Sequence, residues 1–131
     1  MGNLKVIVSG GRDFSDVDFV FEYLDKFYEE KNGNIELILG GASGVDSFAE
    51  QWAKERGVLY DVFHANWRVY GKKAGPIRNE QMLNENPDLV IIFPGGKGTK
   101  NMKDIATRKN VPVLHASIDS FVDDFFRYLE G

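Results

Sequence analysis

Residues 89–99, which read LVIIFPGGKGT, join an apolar run to a glycine-rich turn. The run shows no polar alternation, so it predicts a strand that is buried on both faces, as strands are in parallel sheets. Pro94 ends the run, and a polar, helix-compatible stretch follows from Thr99 to Asn110. The stretch therefore predicts a strand, a turn and a helix in direct succession.

The turn has the features of a phosphate-binding loop. Backbone N–H groups at a helix N-terminus favour an anion because the helix dipole is positive there, and glycine lets a phosphate approach the backbone closely. Lys97 adds a positive charge, and Thr99 can both cap the helix and donate its hydroxyl. The alternative is a tight strand-to-helix turn without a ligand. The candidate ligand contacts in this loop are Pro94, Gly95, Gly96, Lys97, Gly98 and Thr99.

Outward from this stretch, β-rich and helical segments alternate along the whole chain. The predicted strands are residues 4–8, 35–39, 58–63, 89–93 and 111–115. The predicted helices run from Ser15 or Asp16 to about Lys31, from the 40–46 loop to about Arg56, from Pro76 to Asn86, from Thr99 to Asn110 and from about Ser120 to Leu129. We expect an α/β fold, a single Rossmann-like three-layer domain over residues 1–131 with a mostly parallel five-stranded sheet.

Glycine pairs mark the ends of three predicted strands. They are Gly10-Gly11, Gly40-Gly41 and Gly95-Gly96. Loops at the carboxyl ends of parallel strands lie along one edge of the sheet, where open α/β proteins bind their ligands. One pair is weak evidence for a site, whereas three pairs on the same edge are more specific. We therefore expect a ligand site at this edge.

The composition limits the ligand and the chemistry. The chain has 131 residues, a net charge of -4 and no cysteine, which excludes disulfides, thiolate metal sites and cysteine nucleophiles. No apolar run approaches the roughly 20 residues that cross a membrane, and no signal-peptide pattern opens the chain, so we expect a cytoplasmic protein away from membranes. The acidic charge argues against nucleic acid as a partner. Residues 68–109 are nevertheless rich in Lys and Arg, which favours a small anionic ligand.

Several catalytic and cofactor motifs are absent. The dinucleotide motif GxGxxG begins at Gly96 but has Asn101 where its third glycine should stand, and the Walker A motif is missing. No Ser-His-Asp arrangement is readable, and His64 and His115 are isolated in the sequence. We therefore expect neither a metal ion nor a cofactor.

Five ordered motifs resemble the YspA/YpsA-related branch of the SLOG superfamily. They are residues 10–14 (GGRDF), 40–46 (GGASGVD), 67–71 (WRVYG), 74–79 (AGPIRN) and 93–99 (FPGGKGT). The resemblance implies a Rossmann-like domain that binds a nucleotide or a nucleotide-derived ligand, and it leaves a homo-oligomer open. The superfamily includes the LOG phosphoribohydrolases, which cleave the N-glycosidic bond of nucleoside monophosphates, and the single-stranded-DNA binder DprA.

The resemblance places further candidate contacts outside the 94–99 loop. These candidates are Gly10, Gly11, Arg12, Gly41, Ser43, Asp46, Arg78 and Asn79. Arg78 can pair bidentately with phosphate or form an ion pair at the edge of the core, and Arg12 is a second anion contact. Asp46 can accept from ribose hydroxyls or occupy a favourable place in the first turn of a helix. Asn79 can contact ribose or cap its neighbour.

Residues 64–75 form a long stretch without a clear period, which we predict to be a loop. Loops of this length in a compact domain are usually functional or disordered. Its two aromatic rings, Trp67 and Tyr70, either stack on a base or close the loop as a hydrophobic plug. We favour the plug.

One departure from the LOG pattern concerns catalysis. LOG enzymes carry PGGxGTxxE, whose glutamate takes part in glycosidic cleavage, whereas Met102 occupies that position here. A thioether cannot act as an acid, a base or a counter-charge, so LOG-type hydrolysis by the usual residue is not expected. The substitute carboxylates that the sequence offers are Asp13, Asp46 and Asp104.

The sequence leaves three functions in competition. The first is a protein that senses or sequesters a phosphorylated ribose compound, such as an ADP-ribose-like ligand. The second is an N-glycosidic hydrolase or phosphoribohydrolase that uses a substitute carboxylate, so enzymatic activity stays open. The third is single-stranded nucleic-acid binding, which the sequence pI of about 5.2 disfavours.

Overall fold

A parallel sheet forms the centre of the structure, a computed structural model that describes residues 2–116. The strands are β1 (Leu4–Ser9), β2 (Ile35–Leu39), β3 (Tyr60–Val62), β4 (Leu89–Ile92) and β5 (Val113–His115). The helices are α1 (Val17–Glu30), α2 (Val45–Arg56), α3 (Trp67–Tyr70), α4 (Ala74–Leu83) and α5 (Lys97–Arg108), with a 3₁₀ turn at Gly71–Lys73. Within these residues, no helix combines the length and the apolar character needed to cross a bilayer. The predicted helix at about 120–129 lies outside the described residues.

The strand order is β3-β2-β1-β4-β5, and every pairing is parallel. Val6 in the central strand β1 lies opposite Leu37 of β2 and Leu89 of β4. The chain builds outward in one direction from β1 to β3 and in the other from β4 to β5, so the topological switch point lies between β1 and β4. The predicted Rossmann-like α/β fold with a mostly parallel five-stranded sheet is confirmed.

Helices cover both faces of the sheet, and successive residues of β1 belong to different cores. Val6 and Val8 pack in the cluster formed with α1 and α2, which contains Trp52. Ile7 packs in the cluster formed with α4 and α5, which contains Met82. Full burial of one such side chain stabilises the fold by about 1.5–3 kcal/mol. β4 is also buried over most of its length, as its unbroken apolar run predicts.

The helix ends show where local sequence signals succeed and fail. The Asp16 side chain accepts from the Phe19 backbone N–H at 3.0 Å and caps α1, and Gly57 ends α2 with a left-handed φ of 68°. Thr99, in contrast, is not the cap of α5, because Gly96 holds that position and Thr99 lies in the first turn. The predicted cap was wrong because the helix begins at the lysine that precedes Gly98, inside the glycine-rich turn.

The predicted loop at residues 64–75 is largely helical, so this prediction was wrong. Asn66 accepts from the Val69 backbone N–H at 3.2 Å and starts α3, the 3₁₀ turn follows, and α4 begins at Ala74. A helix of four residues is too short to display a hydrophobic period, and all of its residues are exposed. The sequence pattern therefore contained no signal for it.

A buried tryptophan is tied to a carboxylate on the neighbouring helix. The Trp52 indole N–H donates to Asp25 Oδ1 at 2.8 Å, and Arg56 donates to both Asp25 oxygens, from Nε at 2.9 Å and from Nη2 at 3.0 Å. The hydrogen bond from Arg56 holds the pKa of Asp25 below its usual value. These bonds fix α2, whose first turn reaches the carboxyl edge of the sheet, against α1.

Asp25→Ala should lower the free energy of unfolding by about 1–3 kcal/mol, because it leaves the buried Trp52 N–H without a partner. Urea denaturation of the variant and the native chain measures the difference. Glu22→Ala, at an exposed position of the same helix, should change the free energy by less than about 0.5 kcal/mol. Equal stability of the native chain and Asp25→Ala would contradict this role.

Candidate functional site

A cavity of about 790 Å³ opens at the carboxyl ends of β1, β2 and β4. The loops after these strands form most of its wall, and Trp67 and the start of α4 complete it. The glycine-ended strands thus converge on one edge of the sheet, as strand direction predicts. The predicted site residues that line the cavity are Gly10, Gly11, Arg12, Asp13, Asp46, Arg78, Asn79, Pro94, Gly95, Gly96, Lys97, Gly98 and Thr99.

Two predicted contacts, Gly41 and Ser43, do not line the cavity. Gly41 has a φ of +71°, and a Cβ added to it would lie 2.6 Å from His64 Nδ1. The Ser43 hydroxyl donates to the Arg12 carbonyl oxygen at 3.3 Å. Both residues therefore brace the loop after β2 in this structure.

The backbone of one residue, Gly11, joins all three loops. The Gly11 N–H donates to the Pro94 carbonyl oxygen at 2.8 Å, and the Gly11 carbonyl accepts from the Val45 N–H at 3.2 Å. A Cβ added to Gly44 would collide with the Gly11 carbonyl oxygen, and one added to Gly95 would lie 2.7 Å from the Gly11 nitrogen. Glycine is required at these positions because the loops approach one another so closely.

Gly96 and Gly98, at the start of α5, differ from Gly44 and Gly95 because no close contact requires glycine there. A Cβ added to Gly96 or Gly98 meets no atom within 4 Å, and neither residue has a positive φ. Gly98 lies inside the helix, where glycine costs roughly 1 kcal/mol relative to alanine. Both residues line the cavity. Contacts within the described part of the chain therefore do not explain why these two residues are glycine.

Asp46 is a buried carboxylate in the cavity wall, with 7% of its surface exposed. Its Oδ2 accepts from the Ala42 backbone N–H at 3.2 Å, whereas its Oδ1 is buried and has no hydrogen-bond partner among residues 2–116. Burial raises the pKa of Asp46 to about 6, against the opposing effects of the Ala42 N–H and the Arg78 guanidinium. Asp46, a residue of the cavity wall, thus has a buried acceptor oxygen that the described part of the chain leaves unsatisfied.

Arg78 and Asn79 connect the loop after β2 to α5. Arg78 Nη1 donates to the Gly40 carbonyl oxygen, and Arg78 Nε donates to Asn79 Oδ1 at 3.1 Å. The Asn79 amide nitrogen donates to the Gly98 carbonyl oxygen at 3.2 Å and to Asn101 Oδ1 at 2.9 Å. The Asn79 amide is therefore fully hydrogen-bonded, whereas Arg78 retains N–H groups without a partner among the described residues.

Charged and aromatic side chains surround the rim of the cavity. The exposed charged residues that line it are Arg12, Asp13, Lys72 and Lys97. Trp67 also lines the cavity, and both Trp67 and Tyr70 are 47% exposed. The hydrophobic plug that we favoured for these two rings was wrong, because a plug would bury them. The short helix α3 holds them at the surface instead.

Comparison with known proteins identifies the family. A family model described as YAcAr, the YspA, cpYpsA-related SLOG family, matches residues 4–70. The Gene 61 protein of Mycobacterium phage D29 is 31% identical over 119 residues, which cover 85% of this chain and 94% of that relative. The chain belongs to the YspA, cpYpsA-related SLOG family. The predicted membership of this family is therefore confirmed.

Two solved structures are similar to this SLOG chain in fold. TM1055 matches with a TM-score of 0.66 and 23% identity, covering 84% of this chain and 72% of that one. DNA processing protein A (DprA) from Streptococcus pneumoniae matches with a TM-score of 0.51 and 15% identity, covering 92% of this chain and 61% of DprA. At these identities the similarity establishes the fold alone.

At the position of the LOG glutamate, this SLOG chain has a core residue. Met102 is fully buried in the cluster between the sheet and helices α4 and α5, and Asn101 lines the cavity. Asp104 is exposed and does not line the cavity, so Asp13 and Asp46 are the substitute carboxylates that reach it. Among residues 2–116, no group of three or more His, Asp or Glu side chains could hold a metal ion.

Sequence reasoning gave no role to Lys72 and Asn101, which line the cavity, or to Gly44, which lies outside its lining. Gly44 is the cap of α2 and has a φ of +72°, a role that its place as the last glycine before a helix could have indicated. From the sequence, Asn101 was noted only because it replaces the third glycine of the GxGxxG motif. Lys72 carried no signal, because its position follows from the unpredicted helix α3.

Asp46→Asn should be more stable than the native chain at neutral pH, and the difference should shrink in acid. The raised pKa means that the folded chain binds the Asp46 proton more tightly than the unfolded chain. The contribution of Asp46 to stability is therefore most favourable below about pH 4, falls as the pH rises to about 6, and then levels off. The rise in pKa from 3.8 to about 6 corresponds to at most about 3 kcal/mol. Urea denaturation across this pH range measures the difference, and a constant difference would contradict the burial argument.

Proposed function

We propose that this protein binds a nucleotide-derived ligand at the carboxyl edge of its sheet, with a ligand phosphate against the first turn of α5. The observation that carries the proposal is that Gly96 and Gly98 line the cavity although neither packing nor a positive φ requires glycine there. A phosphate in contact with backbone N–H groups supplies the reason, because a side chain at either position would obstruct it. Membership of the SLOG family fits a nucleotide-related role.

The cations around the cavity suit the phosphate of such a ligand. Lys97 is the first residue of α5, where the helix dipole already favours an anion. Burial lowers the pKa of Arg78, and a phosphate that paired with its remaining N–H groups would offset this desolvation. Arg12 lies on the rim of the same cavity as a further positive charge.

The acceptor at Asp46 suits the rest of the ligand. Asp46 Oδ1 has no hydrogen-bond partner in the described part of the chain, and a ribose hydroxyl that reached this buried oxygen would donate to it. Asn79 would act indirectly, since its amide holds the first turn of α5 in place. Gly41 and Ser43 would support the loop after β2. A phosphorylated ribose compound, such as an ADP-ribose-like ligand, combines a phosphate with such hydroxyls, and the protein would sense or sequester it.

A second function, hydrolysis of an N-glycosidic bond, is favoured by one observation. Asp46 combines burial in the cavity wall with a pKa raised to about 6, which suits a carboxyl group that exchanges protons near neutral pH. In such a reaction water would add to the ribose C1 carbon, the C1–N bond would break, and the departing base would take up a proton. In place of the LOG glutamate, Asp46 would accept the proton that the attacking water loses or supply the proton that the base takes up.

Gly96→Asp should abolish phosphate binding without destabilising the protein. Aspartate is a preferred helix cap and a Cβ at position 96 meets no atom, but the new carboxylate would occupy the proposed phosphate site. Titration calorimetry with ADP-ribose and ribose 5-phosphate should show a loss of at least about tenfold. Lys103→Asp, outside this cavity on the same helix, should change the affinity by less than about threefold, because distant charges are screened. Undiminished binding by Gly96→Asp would refute a phosphate at this turn.

Mass spectrometry after incubation with nucleoside monophosphates tests the hydrolytic function. Free base and ribose 5-phosphate should form, and Asp46→Asn should slow their formation by at least about 100-fold, the usual contribution of a positioned acid or base. Asp104→Asn, at an exposed position outside the cavity, should retain most of the activity. Complete recovery of the unchanged nucleotide would exclude this second function.

A further inference from the structure

Arg12 and Trp67 form a pair at the rim of the cavity. The Arg12 guanidinium carbon lies over the Trp67 ring, 5.0 Å from its centroid, and both residues line the cavity. Arg12 comes from the loop after β1, whereas Trp67 comes from α3. A guanidinium over an indole is attracted by the negative face of the ring, so this contact positions both groups.

The Arg12–Trp67 pair packs against α4 on one side and is otherwise exposed to solvent. A Cβ added to Gly75 would lie 3.4 Å from Trp67 Cη2, so the edge of the indole packs against the first turn of α4. Trp67 nevertheless remains 47% exposed, and Arg12 is exposed as well. Apart from its contact with Trp67, the Arg12 guanidinium has no hydrogen bond or ion pair with residues 2–116. The exposed guanidinium can therefore contact a ligand.

We infer that the Arg12–Trp67 pair is a stacking subsite for a nucleobase, so that the cavity takes a base-bearing nucleotide in preference to a sugar phosphate. The base lies on the outer face of the Arg12 guanidinium, which Trp67 supports from the other side. This inference rests on the proposed function, because it requires the ligand phosphate at α5. Guanidinium planes and aromatic rings are the surfaces on which proteins stack unpaired bases.

Space and charge favour a base over a second phosphate at this subsite. The cavity volume of about 790 Å³ lies in the upper part of the range for small-molecule sites, roughly 300–1,000 Å³, which leaves room beyond a ribose phosphate. Asp13 follows Arg12 in the chain and lines the same cavity, so a second anion would meet a carboxylate as well as the guanidinium. A neutral planar ring meets no such repulsion.

The experiment compares two ligands that share a ribose phosphate and differ in the base, adenosine 5′-monophosphate and ribose 5-phosphate. Titration calorimetry measures both affinities for the native chain, Arg12→Lys and Trp67→Ala. Lysine keeps the charge of Arg12 but lacks its planar face. Arg68→Lys is the matched control, because Arg68 is exposed beside Trp67 on α3 and does not line the cavity.

The native chain and Arg68→Lys should bind the monophosphate at least about tenfold more tightly than ribose 5-phosphate. Arg12→Lys and Trp67→Ala should each bring this ratio close to one, with little change in the affinity for ribose 5-phosphate. A ratio near one in the native chain, or an undiminished ratio in both variants, would overturn the inference and leave the proposed function intact. Failure of the native chain to bind either ligand would overturn the proposed function itself.

Tryptophan fluorescence supplies a second readout of the same subsite. The chain has two tryptophans, and Trp52 is fully buried, so a base on the Arg12–Trp67 pair should change the emission of Trp67 alone. The change should appear with the monophosphate and be absent with ribose 5-phosphate. An equal change in Trp67→Ala would contradict the assignment, because the signal would then come from Trp52.

Discussion

The backbone of Gly11 is the constraint on which the carboxyl edge of the sheet depends. Its N–H binds the Pro94 carbonyl and its carbonyl accepts from Val45, so the loops after β1, β2 and β4 are fastened at one point. This approach leaves no room for a Cβ at Gly44 or Gly95. Because backbone groups make these bonds, the loops are held without ordering long side chains, and a wall built from loops acquires a defined shape.

Hydrogen bonds from Arg78 through Asn79 form a second connection, between the loop after β2 and α5. The carboxylate of Asp46 lies beside this connection but keeps an unpaired oxygen. A Cβ added to Gly40 would lie 2.8 Å from Arg78 Nη1 and 3.0 Å from Asp46 Oδ2, so the Gly40 backbone stands beside both groups. The guanidinium binds the Gly40 carbonyl and does not satisfy the buried Asp46 oxygen. The protein therefore tolerates an unfavourable charge in the wall of its cavity, as proteins commonly do where a site and a fold make conflicting demands.

The sequence predicted the strands and helix ends correctly wherever a local residue pattern determines them. The largely apolar stretch at residues 35–39 is β2, and Asp16 caps α1 as its side chain predicts. Strand direction placed the glycine loops on one edge. The pattern could not separate Gly95, which the fold requires, from Gly98, which it does not, because that distinction depends on neighbours distant in sequence. Helix α3 and the exposure of Trp67 escaped prediction for a different reason, since four residues carry no period.

The switch point between β1 and β4 also divides the cavity between two stretches of chain. Arg12 and Asp46 lie within residues 4–70, the segment that the family model matches, whereas Arg78 and the first turn of α5 lie beyond it. Opposite ends of a ligand would thus be recognised by segments that are separate in the gene. Recombination or divergence of the segment beyond residue 70 could alter how the ligand phosphate is bound. Residues 4–70 would meanwhile keep their preference for the rest of the ligand. Under the proposed function, ligand recognition would therefore be divided between two stretches of chain that meet along the pairing of β1 with β4.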